Sequence, residues 1–191
     1  MLAGTPKLKI AVIGSPGSGK TYLAHLLADA LCLPLYSLDS LYFDKNWEEP
    51  TWQDWSARHD KLLTRPCWII EGNNLPTLKN RVAASDIVVL FDLPPWLCCL
   101  RILRRWIRYR HDPRPGMPEG CTERLDLPFL MRAWKYRTLY LPFCTETCRQ
   151  HLPDERIVVI RKKSELPHAL KTISSLSGVE CSASPQFQSG I

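Results

Sequence analysis

The sequence predicts an α/β domain in which short parallel strands alternate with helices and are covered on both faces. Three observations predict it. The apolar runs KIAVI (9–13), CWII (67–70), IVVLF (87–91) and IVVI (157–160) read as buried strands. Segments of helical period separate them. The polar residues Gly14, Asp39, Glu71 and Asp92 each close a run, at the carboxyl ends where parallel sheets bind ligands.

Taken in order, KIAVI leads into a glycine-rich loop and then YLAHLLADAL, where Leu23, Leu26, Leu27, Ala30 and Leu31 share helical spacing and Pro34 ends the unit. LPLYSLD reads as a second strand ending on Asp39. A loop containing Phe43, Trp47 and Pro50 leads to a helix from near Thr51 to Pro66. CWII ends at Glu71-Gly72-Asn73-Asn74, a short helix spans about 76–84, and IVVLF is the most β-like run. An amphipathic helix runs from Pro95 to about Tyr109 or Arg110. HDPRPGMPEG (111–120) must then be a loop. A helical region over about 127–150, interrupted near Pro142, precedes IVVI, and a closing helix is expected over 164–173 with Ser164 as its N-cap. Residues 174–191 are polar and unpatterned, and a disordered tail is expected there.

One domain over residues 1–173 is the natural size for a 191-residue chain with 45% hydrophobic and 23% charged residues. No stretch is long and apolar enough to span a bilayer, and the N-terminus lacks a signal-peptide apolar run, so cytoplasmic residence without a membrane partner is expected. Eight cysteines in so apolar a chain read as free thiols, with Cys32, Cys67, Cys98 and Cys99 buried. Cys144, Cys148 and His151 share one helix face and offer three zinc ligands. No fourth is near, so packing of that face is the favoured reading.

The chemistry-bearing segment is Gly14-Ser15-Pro16-Gly17-Ser18-Gly19-Lys20-Thr21, which satisfies G-x-x-x-x-G-K-[ST] between a strand and a helix. Glycines let the backbone curl so that successive N–H groups point at phosphate oxygens, and the following helix adds its positive end. Lys20 should reach the β- and γ-phosphates of ATP, and Thr21 should give its hydroxyl to Mg²⁺. No guanine-reading N-K-x-D is present, which excludes a GTP switch of the usual kind. Asp92 after IVVLF suits the acidic strand end of an ATPase. The Leu-Pro-Pro that follows favours a structural cap instead.

A small kinase accounts for more residues. Arg101, Arg104, Arg105, Arg108, Arg110 and Arg114 form a basic series, with Arg101, Arg105 and Arg108 on one helix face and Leu100, Leu103, Trp106 and Ile107 on the apolar one. Arginines bind a transferring phosphoryl group bidentately, and a helix leading into a Pro/Gly loop makes a lid of about residues 108–125. A solvated basic face or a nucleic-acid patch is the alternative. Glu71 can hold Mg²⁺-bound water, and Asp39 can accept the proton of an acceptor hydroxyl. Trp47, Trp52 and Trp55 surround the acceptor segment, about 40–66. They either stack on a base or sugar or, for Trp52 and Trp55, pack their helix onto the sheet.

Asp39-x-Leu41-Tyr42-Phe43 with Trp47, Trp68-Ile69-Ile70-Glu71-Gly72-Asn73, Arg101-x-x-x-Arg105 and Pro118-Glu119-Gly120-Cys121-x-Glu123-Arg124 resemble the bacterial topology modulation proteins. That group is similar to adenylate kinase, and the resemblance covers roughly residues 8–172. It implies a nucleoside-monophosphate-kinase-like P-loop fold with a five-stranded parallel sheet in 2-3-1-4-5 order and a short lid. It further implies that Arg101 and Arg105 open the lid, one near adenine and one at the phosphates, and that Arg124 and Arg137 contact phosphates. Glu71 stands where the adenylate-kinase pattern has Asp, and Gly72-Asn73-Asn74 lacks its Phe-Pro-Arg, which removes the AMP-reading signature.

The expectation is an ATP- and Mg²⁺-dependent kinase acting on a nucleotide or other small acceptor. Lys20, Arg105, Asp39 and Glu71 are catalytic; Gly14 to Thr21, Arg101 and Arg137 bind ATP; Thr21 and Glu71 hold the metal. The alternative is a nucleic-acid-associated P-loop NTPase or regulator affecting DNA topology.

Overall fold

A computed structural model describes residues 7–111, 117–123 and 125–177. Five parallel strands, β1 (Lys9–Gly14), β2 (Leu35–Ser37), β3 (Trp68–Glu71), β4 (Ile87–Phe91) and β5 (Ile157–Ile160), form one sheet in the order β2-β3-β1-β4-β5. The helices are α1 (Lys20–Leu31), α2 (Leu38–Tyr42), α3 (Trp52–Leu63), α4 (Leu78–Ala83), α5 (Pro95–Tyr109), α6 (Leu127–Lys135), α7 (Leu141–His151) and α8 (Leu166–Ser177). This is the expected order. Because the connection leaving β1 runs to β2 at one edge while the one leaving its neighbour β3 crosses back to β4 on the other side, a crevice opens beyond the carboxyl ends of β1 and β3.

Alternation along the strands divides the core into two layers. Ile10 and Val12 of β1 join Leu23, Leu27 and Leu31 of α1 and Leu170 and Ile173 of α8. Ala11 and Ile13 face the other way, onto Trp55 of α3, Leu78 and Val82 of α4 and Cys144 and Cys148 of α7. Thr51 caps α3 by accepting the Asp54 N–H at 3.2 Å.

Several local expectations are corrected. The second strand stops at Ser37, and Asp39 lies exposed in the first turn of α2. α1 ends at Cys32, in a left-handed conformation (φ 52°), which leaves that thiol exposed; Cys67 and Cys98 are buried and Cys99 half-buried. The 127–150 region breaks at a π-helical turn, Tyr136–Tyr140, because Pro142 fits the first turn of α7 rather than interrupting it. The last helix reaches Ser177, and its cap is the Glu165 carboxylate, which accepts the Arg161 and Lys162 N–H groups, not Ser164. Trp55 is buried as expected, but Trp52 is 55% exposed. On α5 the buried residues are Cys98 and Ile102, while Leu100, Leu103 and Ile107 face outward. Among the described residues no cysteine–histidine cluster can hold a metal. Cys144 and Cys148 are packed in the core, and His151 turns its ring to the Thr147 carbonyl. No described helix is long and apolar enough to cross a membrane. The expected tail from 178, Arg114 and Arg124 lie outside the described residues.

The second layer contains His59, 1% exposed, with neither ring nitrogen hydrogen-bonded. Burial, and then the nearby Arg81 cation, depress its pKa to about 4. The unfolded chain therefore takes up a proton between about pH 6.5 and 4 that the folded chain refuses, so stability falls as pH drops through that window. With solvent screening allowed for, a loss of roughly 2 kcal/mol is expected. Urea titrations at pH 7 and pH 4.5 should show that His59→Phe flattens this slope. An unchanged slope would remove His59 as its source.

Candidate functional site

At the end of β1 the chain turns through Gly14–Gly19 into α1. Ser18 N–H donates to the Ser15 carbonyl at 3.1 Å, and the Lys20 ammonium donates to the same oxygen at 3.0 Å, closing the loop on itself. Gly17 has φ 75°, and a β-carbon there would meet the Cys98 carbonyl oxygen at 2.4 Å. Only glycine lets the loop sit so close to α5. The Ser18 hydroxyl is buried and has no protein partner. An orphaned hydroxyl inside a loop of this kind fits a phosphate oxygen. Thr21 is exposed at the start of α1 and offers a hard oxygen donor suited to Mg²⁺.

The arginine helix delivers one side chain directly to this loop. Arg101 donates from Nη1 to the Ser18 carbonyl at 2.9 Å and the Gly17 carbonyl at 3.4 Å. One turn on, Arg105 Nε lies 2.9 Å from Glu123 Oε1, and Glu123 is itself buried. Arg137 forms an ion pair with Asp92 at 2.7 Å, and Arg161 approaches the same carboxylate at 3.5 Å. Asp92 is thus not a helix cap: Pro94 precedes α5, and the carboxylate anchors two cations beside the loop. Gly14 pairs with Phe91, so Asp92 stands one residue beyond the level of the loop's first glycine.

Glu71 is buried at the end of β3, in register with Val12 and Ser37. Two residues unmarked by any motif hold the turn that follows it. Arg81, 0% exposed on α4, donates to the Thr77 hydroxyl at 3.2 Å and the Gly72 carbonyl at 3.4 Å. The Tyr136 hydroxyl donates to Asn73 Oδ1 at 3.0 Å. Burial lowers the Arg81 pKa only to about 10, so it remains a cation at neutral pH. Burial likewise pushes the Tyr136 phenol upward and Cys148 to about 12, keeping both protonated. Arg81 falls at i+3 from Leu78 and beside Val82, on the face of α4 that α7 covers, so its spacing is the one signal of burial and its charge hides it.

Residues 44–47, after α2, and residues 119–122 are fastened together. Lys45 and Glu119 form an ion pair at 2.8 Å, and Asn46 N–H donates to the Glu119 carbonyl at 3.2 Å. The Trp47 indole donates to the Thr122 carbonyl at 3.1 Å, with its ring edge-on to Phe43 at 4.9 Å. The buried Cys121 thiol donates to the Asp44 carbonyl at 3.4 Å. Trp47, Glu119 and Cys121, three of the residues that carry the resemblance, are therefore a clip between residues 44–47 and 119–122, while Glu123 is held by Arg105. Trp47 is engaged in that clip rather than left as a stacking surface.

No protein-family model matches the chain, and no curated relative does. Solved structures do. The shikimate kinase from Acinetobacter baumannii in complex with shikimate has a TM-score of 0.57 at 17% identity, covering 90% of this chain and 93% of that one. The shikimate kinase from Bacteroides thetaiotaomicron has a TM-score of 0.51 at 16% identity, covering 90% and 99%. A sulfotransferase from Alicyclobacillus acidocaldarius has a TM-score of 0.53 at 11% identity, covering 96% and 86%. The chain has the five-stranded P-loop fold that shikimate kinases share.

Proposed function

We propose that the chain is an ATP-dependent phosphotransferase acting on a small-molecule acceptor. The observation that carries this reading is Arg101 seated on the carbonyls of a Lys20-Thr21 phosphate loop, which joins a nucleotide cradle to an arginine-bearing lid. The fold alone also accommodates sulfotransferases, so the choice rests on this loop. Thr21 and Glu71 supply hard oxygens for Mg²⁺, directly or through water. Mg²⁺ would neutralise charge on the terminal phosphates.

The chain's own residues divide the remaining work. Loop N–H groups and Lys20 fix the phosphates. Arg105 exchanges Glu123 for the transferring phosphoryl oxygens as the lid closes, and Arg137 stands beside them on Asp92. Asp39, exposed on α2, takes the proton of an acceptor hydroxyl. The missing Phe-Pro-Arg after Glu71 argues against AMP as acceptor. The nucleic-acid reading, including the DNA-topology role implied by the resemblance, is weaker because Arg101 and Arg105 are engaged within the protein.

An ADP-release screen across nucleoside monophosphates, nucleosides and sugar-type hydroxyl acceptors tests the proposal, with DNA as a separate well. Release that rises with one small acceptor supports it, and stimulation by DNA alone would replace it with the alternative. Arg105→Ala should then lower kcat by about 100-fold or more while changing ATP affinity less. Equal losses in both would move Arg105 from the transition state to ground-state binding.

A further inference from the structure

Two helices leave a broad apolar plane outside the core. On α5, Trp96, Leu100, Leu103 and Ile107 recur at helical spacing and form one narrow stripe; on α6, Leu127, Met131 and Trp134 do the same. These residues are open to solvent, with Trp96 at 59%, Ile107 at 60%, Leu127 at 71% and Trp134 at 55% exposure.

The helices run antiparallel. Glu123, just before α6, donates its N–H to the Tyr109 carbonyl at the end of α5 at 3.3 Å, while Cys99 near the start of α5 reaches the Leu130 carbonyl at 3.8 Å. Each stripe lies about 60° from that contact line in the same rotational sense, which in an antiparallel pair puts both on one side. The register brings Trp96 alongside the turn carrying Trp134, and Leu103 alongside Leu127.

Cations border the plane on both outer edges: Arg104 and Arg108 on α5, Arg132 and Lys135 on α6, all exposed. Neither helix contains an aspartate or glutamate, and none of the ion pairs among the described residues uses these four cations.

We propose that this plane docks on an anionic lipid surface. Apolar side chains including tryptophan, bordered by arginine and lysine, are what an interfacial helix needs to bury one face at headgroup depth while its cations meet lipid phosphates. A second copy would bring like-charged edges together with no acid on either helix to offset them. The contact is peripheral, since no described helix can cross a bilayer, and it revises the expectation of no membrane partner. Arg101 points to the phosphate loop from another side of α5, so docking leaves the candidate site open. The proposal does not depend on the kinase reading.

Flotation of the full chain with vesicles of phosphatidylcholine alone, or mixed with phosphatidylglycerol, tests it. Binding is expected to the mixed vesicles only, and high salt should release it. The double variant Trp96→Ser/Trp134→Ser and the double variant Arg104→Glu/Lys135→Glu should each weaken partition at least about tenfold. Circular dichroism checks that these surface changes leave the fold intact; should either variant misfold, the lipid-composition and salt comparisons on the unaltered chain still decide. No flotation with phosphatidylglycerol vesicles overturns the proposal. So does a dimer in sedimentation equilibrium that the tryptophan variant dissolves, which assigns the plane to a second copy. Capture by polyglutamate without vesicle binding would point to an acidic protein instead.

Discussion

Replacing Lys20 by alanine is expected to lower phosphoryl transfer by about 1,000-fold or more while the protein stays folded. The size follows from where the charge sits. Lys20 Nζ is held 3.0 Å from the Ser15 carbonyl, so its position is set by the loop before any nucleotide arrives. A preorganised cation costs no reorganisation when negative charge develops on the phosphoryl oxygens. The fold should survive because Lys20 is only half-buried and the Ser18 to Ser15 backbone bond remains. Turnover measured with the acceptor found by the ADP-release screen, alongside thermal unfolding, separates the two effects. A variant that keeps near-normal turnover would remove Lys20 from the chemistry. One that unfolds would make its role structural. Lys20→Arg retains charge but not the compact ammonium, and it should recover little.

The largest effect on stability is expected at Arg81. Arg81→Ala should cost about 3–5 kcal/mol, seen as a fall in Tm of about 10 °C or more. Its guanidinium is fully enclosed between α4 and α7, where it donates to Thr77 and Gly72 and faces the charge of Glu71. Truncation removes buried volume and leaves Glu71 and the Gly72 carbonyl without their cation. Since that turn carries Glu71-Gly72-Asn73, the lesion reaches the candidate site as well. Arg81→Met fills the volume without the charge. It should recover part of the stability but leave Mg²⁺ dependence of turnover altered if Glu71 has moved. A Tm shift of only a degree or two in Arg81→Ala would show that the charge is not structural.

Much of the architecture was legible because strand, loop and helix are local patterns. KIAVI before GSPGSGKT is a buried strand before a phosphate loop whatever follows. Thr51 announces α3 by the same local chemistry. The misreadings share a different cause. On α5 hydrophobic periodicity marks an apolar face without saying whether anything covers it, and the core accepts Cys98 and Ile102 instead. The proline neighbours of Asp92 point to a cap, because Arg137 and Arg161, which pair with it, lie far along the chain.

By itself, then, the sequence determined a parallel α/β domain and the place of its candidate phosphate loop, because both depend on residues adjacent in the chain. The tertiary structure alone decided which polar groups work together. It seated Arg101 on the loop across more than eighty residues, tied Arg105 to Glu123, and clipped Trp47 to Cys121 and Thr122. It also buried Arg81 and left the α5–α6 stripe in solvent. Burial and ion pairing are properties of which surfaces meet, and helical period alone does not specify which face of a helix will find a partner.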